Sequence, residues 1–248
     1  MNRRALRKAL LMAAGILAGG ALALGGNAWW RDKPYDQWNE KDVAMILQNS
    51  PWAKIVPNVG GTLSQHGNTD LGGNEPTVGP GMGTGQILPG EHDTPVNDPR
   101  APKTYWVVWW SARTVREAAA RHAMLNGTAT EEQMREQASS TTGDYEVMVR
   151  GLDMSVFDLR PEKSFLDKTF LEIKSSKQKI MPTRMEYLKT QEGHVSAAIF
   201  HFAKKNSAGE PMLSPEDKHI DFYCHVADGT IRTWFEPDRM VDNQGPDM

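Results

Sequence analysis

Tyr223, His225, Arg232 and Trp234 are the residues whose types and spacing come nearest to a recognition surface. They lie in two alternating runs, Lys218-His219-Ile220-Asp221-Phe222-Tyr223-Cys224-His225-Val226 and Thr230-Ile231-Arg232-Thr233-Trp234-Phe235-Glu236. Successive side chains of an extended strand point to opposite faces, so Asp221, Tyr223 and His225 share one face and Ile220, Phe222 and Cys224 the other. Ala227-Asp228-Gly229-Thr230 carries the Asp-Gly signal of a two-residue type I′ hairpin. That turn predicts Val226 opposite Ile231, Cys224 opposite Thr233 and Phe222 opposite Phe235 on a core face. The other face then pairs His225 with Arg232, Tyr223 with Trp234 and Asp221 with Glu236. Amphipathic rings beside guanidinium, imidazole and carboxylate groups can hold a sugar or a peptide, provided the face is open and not covered by the N-terminal helix.

Other combinations offer weaker chemistry. Among seven histidines, the best metal pattern is His219, Asp221 and His225 on one strand face. Residues two apart on a strand can meet at a metal, but six residues span roughly 20 Å, so the three form no single site and no metal is expected. Ser111 ends an apolar run just before a helix, a place for a nucleophile, yet capping that helix accounts for it. Cys224 is the only cysteine and points to the apolar face, where a thiol is inert. Glu131-Glu132 and Glu216-Asp217 sit at a helix start and a turn, which explains them by dipole and solvation. Gly79-Pro80-Gly81-Met82-Gly83-Thr84-Gly85 has no preceding strand, following helix or Gly-Lys-Ser/Thr, so it is no phosphate loop. No catalytic or cofactor motif is present, and the expectation is a protein without a cofactor.

The elements that position these residues follow from local patterns. Asn39, with Asp42 three residues on and Trp38 and Val43 as a hydrophobic staple, starts a helix over Glu40–Asn49 that Ser50-Pro51 ends. Residues 58–103 hold ten glycines and six prolines without periodicity and read as a flexible linker. Tyr105 to Trp110 is a buried strand, and a helix follows with Ser111 or Thr114 as cap, Thr114 boxing with Glu117. A second helix begins after Thr130, boxed with Gln133, and the two form a hairpin across Asn126-Gly127. Strands are predicted from Tyr145 and at about 168–174, 179–189, 194–204, 219–226 and 230–236. Pro182 marks an edge or a bulge, and the strand from Val195 to Phe202 is central, with His201 its lone polar residue. Of the eight tryptophans, Trp106, Trp109 and Trp110 are assigned to the core, while Trp29 and Trp30 could face either way. The fold class is α+β: an antiparallel sheet of six to seven strands, meander- or sandwich-like, with an N-terminal helix and a helical hairpin packed on it.

Arg3, Arg4, Arg7 and Lys8 precede an uncharged run from Ala9 to Gly25, with small residues at Gly26 and Ala28. This is the pattern of an export signal cut between Ala28 and Trp29, and it predicts a periplasmic or secreted protein. A twin-arginine route and an uncleaved anchor stay open, the anchor being the only expected contact with a membrane. The organisation is thus signal peptide 1–28, Trp-rich helical segment 29–57, linker 58–103 and α+β domain 104–248. The formal charge of −3 becomes about −7 without the four basic residues of the leader, which argues against a nucleic-acid partner.

Several islands, Trp38 with Asp42-Val43, Ile46-Leu47 and Ser50-Pro51-Trp52-Ala53-Lys54, Trp110-Ser111-Ala112 with Val115-Arg116 and Ala118, and Phe235 with Met240-Val241, resemble a group of exported acidobacterial proteins of unknown function. Some of that group are labelled as having a Gly-Trp-x-Thr-Asp domain, and that string is absent here. The resemblance implies no activity and no site residues. The function expected is a non-enzymatic binding or assembly component of the cell envelope, its partner an envelope protein, a peptide or a glycan. The alternatives are an envelope hydrolase with a site near the helix after Trp110, or a small-ligand carrier with a pocket between the Trp-rich helix and the sheet.

Overall fold

Asn39 closes the first helix as its neighbours dictate: its side chain accepts from the Asp42 N–H at 3.0 Å, and the Asp42 carboxylate accepts from the Asn39 N–H at 3.0 Å. The structure is a computed structural model describing residues 28–60, 102–227 and 229–248. The leader, nearly all of the Gly/Pro-rich stretch and the phosphate-loop lookalike lie outside the described residues. Helix α1 runs Glu40–Gln48, with the staple residues Trp38 and Val43 both buried.

A strand that the sequence reading missed follows at once. Ser50-Pro51 ends α1, and β1 (Ala53–Val59) pairs antiparallel with β2 (Lys103–Trp109). Pro57 removes a ladder donor inside a short β-branched run, which hid the strand and also explains its place at a sheet edge, with a register irregularity between Val56 and Val59. The segment 29–57 is therefore helical only in part and contributes a strand to the sheet of the following domain.

Helix α2 (Arg113–Leu125) ends at Gly127 with φ +67°, where Gly127 N–H bonds Met124 O and Thr128 N–H bonds Ala123 O. This Schellman motif turns the chain into α3 (Glu131–Ser139), whose Thr130–Gln133 capping box forms as expected. The start of α2 does not. Ala112 is its N-cap and makes no side-chain cap bond. The Asp247 carboxylate instead accepts from the N–H groups of Arg113 at 2.6 Å and Thr114 at 2.9 Å.

Then follow β3 (Asp144–Gly151), the short helices α4 (Ser155–Asp158) and α5 (Lys163–Leu166), β4 (Thr169–Ile173), β5 (Lys179–Ile180), β6 (Arg184–Lys189) and β7 (Val195–Ala203). The run expected at 179–189 is two strands in different sheets. Pro182 sits in the break between them, and both are edge strands. The chain closes with β8 (Ile220–Val226), β9 (Gly229–Phe235) and a two-stranded ribbon of β10 (Val241–Asp242) and β11 (Gly245–Pro246).

Two antiparallel sheets result, ordered β1-β2-β3-β7-β6 and β5-β4-β8-β9. Period-two alternation brings Tyr105, Val107, Trp109, Phe200 and Phe202 of the first against Leu171, Ile220, Phe222 and Phe235 of the second, in one core. Phe200 meets Phe222 at 5.9 Å and Trp109 meets Phe235 at 5.0 Å between ring centroids. β7 is central between β3 and β6, as its apolar faces predict. Helices α1 and α2, with α3 packed on α2, lie on the other face of the five-stranded sheet: α1 packs on β1, β2 and α2, and Arg150 of β3 donates to Leu47 O. The fold is α+β with antiparallel sheets. Trp29, Trp30, Trp38 and Trp52 form an edge-to-face chain with centroids 5.6–5.9 Å apart, ending on the buried Trp52. Trp109 is core, whereas Trp106 and Trp110 are only partly buried. Among the described residues no helix is long and apolar enough to cross a membrane.

Candidate functional site

The β8–β9 hairpin has a different register from the one the Asp-Gly signal predicts. Val226 pairs with Gly229, Cys224 with Ile231, Tyr223 with Arg232, Asp221 with Trp234 and Ile220 with Phe235. Gly229 is the first residue of β9. A Cβ on Gly229 would lie 3.4 Å from Gly60 N and 3.6 Å from a Val59 methyl. The end of β1 packs against this glycine, a contact the turn rule does not consider. The slip is two residues, so every side chain keeps its expected face and only the cross-strand partners change. Tyr223 thus faces Arg232, not Trp234.

On the outer face of the four-stranded sheet these residues form a ladder across the strands. Lys179 Nζ lies 4.2 Å from the Phe170 ring centroid, Phe170 stacks on Tyr223 at 4.8 Å with planes 23° apart, and the Arg232 guanidinium lies 4.8 Å over the far side of that pair on Tyr223. Arg232 reaches Asp221 at 3.4 Å, and His219 reaches the same carboxylate oxygen at 3.6 Å. His219 in turn stacks on Trp234 at 5.6 Å and 14°. Desolvation and the Asp221 carboxylate push the Tyr223 phenol up, so it stays a neutral hydroxyl. Phe170 and Tyr223 spend their faces on each other and on cations. Trp234 does not: its ring is covered by His219 on one side only and the residue is 50% exposed. His225 is exposed at the turn end of the ladder, its Nδ1 2.9 Å from Thr230 Oγ1. The N-terminal helix, which would have covered this face, lies on the other sheet.

The other sequence candidates are dispersed. His219 and Asp221 meet, His225 goes to Thr230, and among the described residues no three His, Cys, Asp or Glu side chains are placed to share a metal. Ser111 is 2% exposed with its hydroxyl inside the protein, which leaves a substrate no approach. Burial pushes the Cys224 thiol up to about 12, the state of an inert packing residue. Glu131 pairs with Arg135 at 2.5 Å on its own helix, and Asp217 accepts from Ser214 N–H at 2.8 Å in a turn.

One cluster was hidden by the alternation of β3. Glu146 and Arg150 read as a polar face, yet Glu146 is 2% exposed beneath the helices. Opposite it on β7 stands His201, fully buried, 3.4 Å from Glu146 and 3.5 Å from Glu186 of β6. Burial disfavours a charged imidazole, and the two carboxylates outweigh it, so the His201 pKa is raised. The arrangement is an ion-pair cluster around a buried histidine, with the partly exposed Glu186 at its edge. Its one legible trace is a histidine alone in an apolar central strand.

No protein family, curated protein or solved structure matches the chain.

Proposed function

We propose that this protein is exported and serves as a non-enzymatic binding component of the cell envelope, holding a glycan strand on the outer face of β4, β5, β8 and β9. The observation that carries the reading is Trp234, a half-exposed indole beside Arg232, Asp221 and His219 on a sheet face that no other described element covers. A sugar ring has an apolar face that stacks on an indole, and hydroxyls that a planar guanidinium binds, while the buried Asp221 carboxylate holds Arg232 and His219 in place. The face is flat, which suits an extended chain and not a side chain needing a pocket. The basic start and apolar run of the leader support delivery to the compartment where such glycans are found.

Binding of the full chain to an array of envelope polysaccharides, compared with Trp234→Ala, tests this. The variant is expected to lose capture at least tenfold while losing less than about 1 kcal/mol of stability, because half of the ring is already in water. A wild-type protein that captures only peptides or nothing, a variant that binds glycans as well as wild type, or a loss of roughly 3–5 kcal/mol typical of a core truncation each overturns the reading.

A further inference from the structure

Thr114 and Glu117 stand one turn apart on α2, and their sequence spacing is that of a capping box. The tertiary structure releases both from that duty, because Asp247 takes the N–H groups at the start of the helix. The two freed side chains line a half-enclosed cleft of about 250 Å³, walled by Trp30, Tyr35, Trp38 and Asn243. Thr114 is 1% exposed and its Oγ1 has no hydrogen-bond partner. The Glu117 carboxyl is partly buried and makes no hydrogen bond or ion pair among the described residues. The cations nearby are already engaged: Lys33 with Asp42 at 2.5 Å, Arg31 with Val241 O at 3.1 Å, Arg113 with Asp242, and Arg116 with Ser111 O.

We propose that this cleft is a binding site for a small organic cation, an alkylammonium head that sits against the indoles and bonds Glu117. A partly buried carboxylate that makes no hydrogen bond is costly to ionise, and an ammonium group with three N–H donors supplies it with both a charge and a hydrogen bond. The faces and edges of Trp30, Trp38 and Tyr35 supply the aromatic wall on which cations bind. The volume falls short of the roughly 300–1,000 Å³ of sites for drug-sized ligands, so it suits a head group and a short stem. Burial raises the Glu117 pKa to about 7, which places the switch between a neutral and an anionic cleft within the physiological range. The groups that act on Glu117 are Arg113 and Arg116 of α2, Asp242 and Asp247 of the C-terminal segment and Tyr35, with Arg31, Asp32 and Lys33 at the rim.

The probe is n-butylammonium, with butanol and butyrate as its neutral and anionic counterparts, titrated into the full chain while the indole N–H resonances of Trp30 and Trp38 are followed by NMR. Butylammonium is expected to shift both resonances saturably, with affinity rising at least threefold from pH 6 to pH 8 as Glu117 ionises. Glu117→Gln should weaken it at least tenfold and abolish the pH dependence, whereas Thr114→Val should leave it within twofold, because that hydroxyl is out of the ligand's reach. Native indole dispersion in each variant shows that the fold is intact. Absence of saturable shifts, equal binding of butanol, or unchanged affinity in Glu117→Gln overturns the proposal.

Discussion

Glu117 shows how a single side chain couples stability to pH. Desolvation raises its carboxyl from an ordinary 4.5 to about 7, Arg113 opposes the rise, and Asp242 and Asp247 add to it. Between those values the folded chain holds a proton that the unfolded chain has lost, so stability falls as pH rises through the window. His201 acts in the same sense at higher pH. Its raised pKa means that the imidazolium clamped by Glu146 and Glu186 stabilises the fold fully below the unfolded value, and that this is lost as pH rises through the folded one. Urea melts of Glu117→Gln between pH 4 and pH 9 are expected to be flatter than wild type from about pH 4.5 to 7, leaving the later decline that belongs to His201. Superimposable profiles would show that Glu117 does not titrate in this window.

At the scale of elements, α2 depends on a cap that lies 134 residues away. Two N–H groups that no local side chain satisfies are held by Asp247, whose own carbonyl accepts from the Trp52 indole at 2.7 Å. Removing a carboxylate cap costs roughly 0.5–2 kcal/mol. Asp247→Ala is therefore expected to lower stability by about that amount and to speed amide exchange at Arg113 and Thr114, with the N–H groups of α3 unaffected under Thr130. Unchanged exchange at those two amides would show that the helix start is held by other means. The contrast among the three helices explains what was legible in the sequence. Asn39 and Thr130 carry their acceptors within three residues, so both caps could be read directly. Thr114 and Glu117 offer the same spacing and do not use it, since a stronger acceptor arrives from the C-terminal segment.

At the scale of the molecule, the N-terminal segment is a structural part of the sandwich. β1 pairs with β2, Trp109 N–H donates to Trp52 O at 2.7 Å, and Trp30 Nε1 bonds Val241 O at 3.2 Å. Cutting the chain at a specific protease site introduced between residues 61 and 101 is expected to leave the two pieces together in native gel filtration and to separate them only in denaturant. Separation under native conditions would mean that the ladder and the tryptophan chain do not suffice to hold the segment.

What the residue order settled by itself was short in range. Alternation assigned Tyr223, His225, Arg232 and Trp234 to one face, and a two-residue register slip could not disturb that, because the pleat repeats every second residue. Apolar runs on both faces placed β7 at the centre of a sheet. What the tertiary structure decided were the long-range partners: β1 against β2 across the Gly/Pro-rich stretch, Asp247 at the start of α2, and the helices over Glu146 and His201 instead of over Trp234. A local window records which face a side chain takes, but a pleated face looks alike whether water or a helix covers it. The helix α1 lies on the five-stranded sheet because the strand that follows it at once, β1, belongs to that sheet.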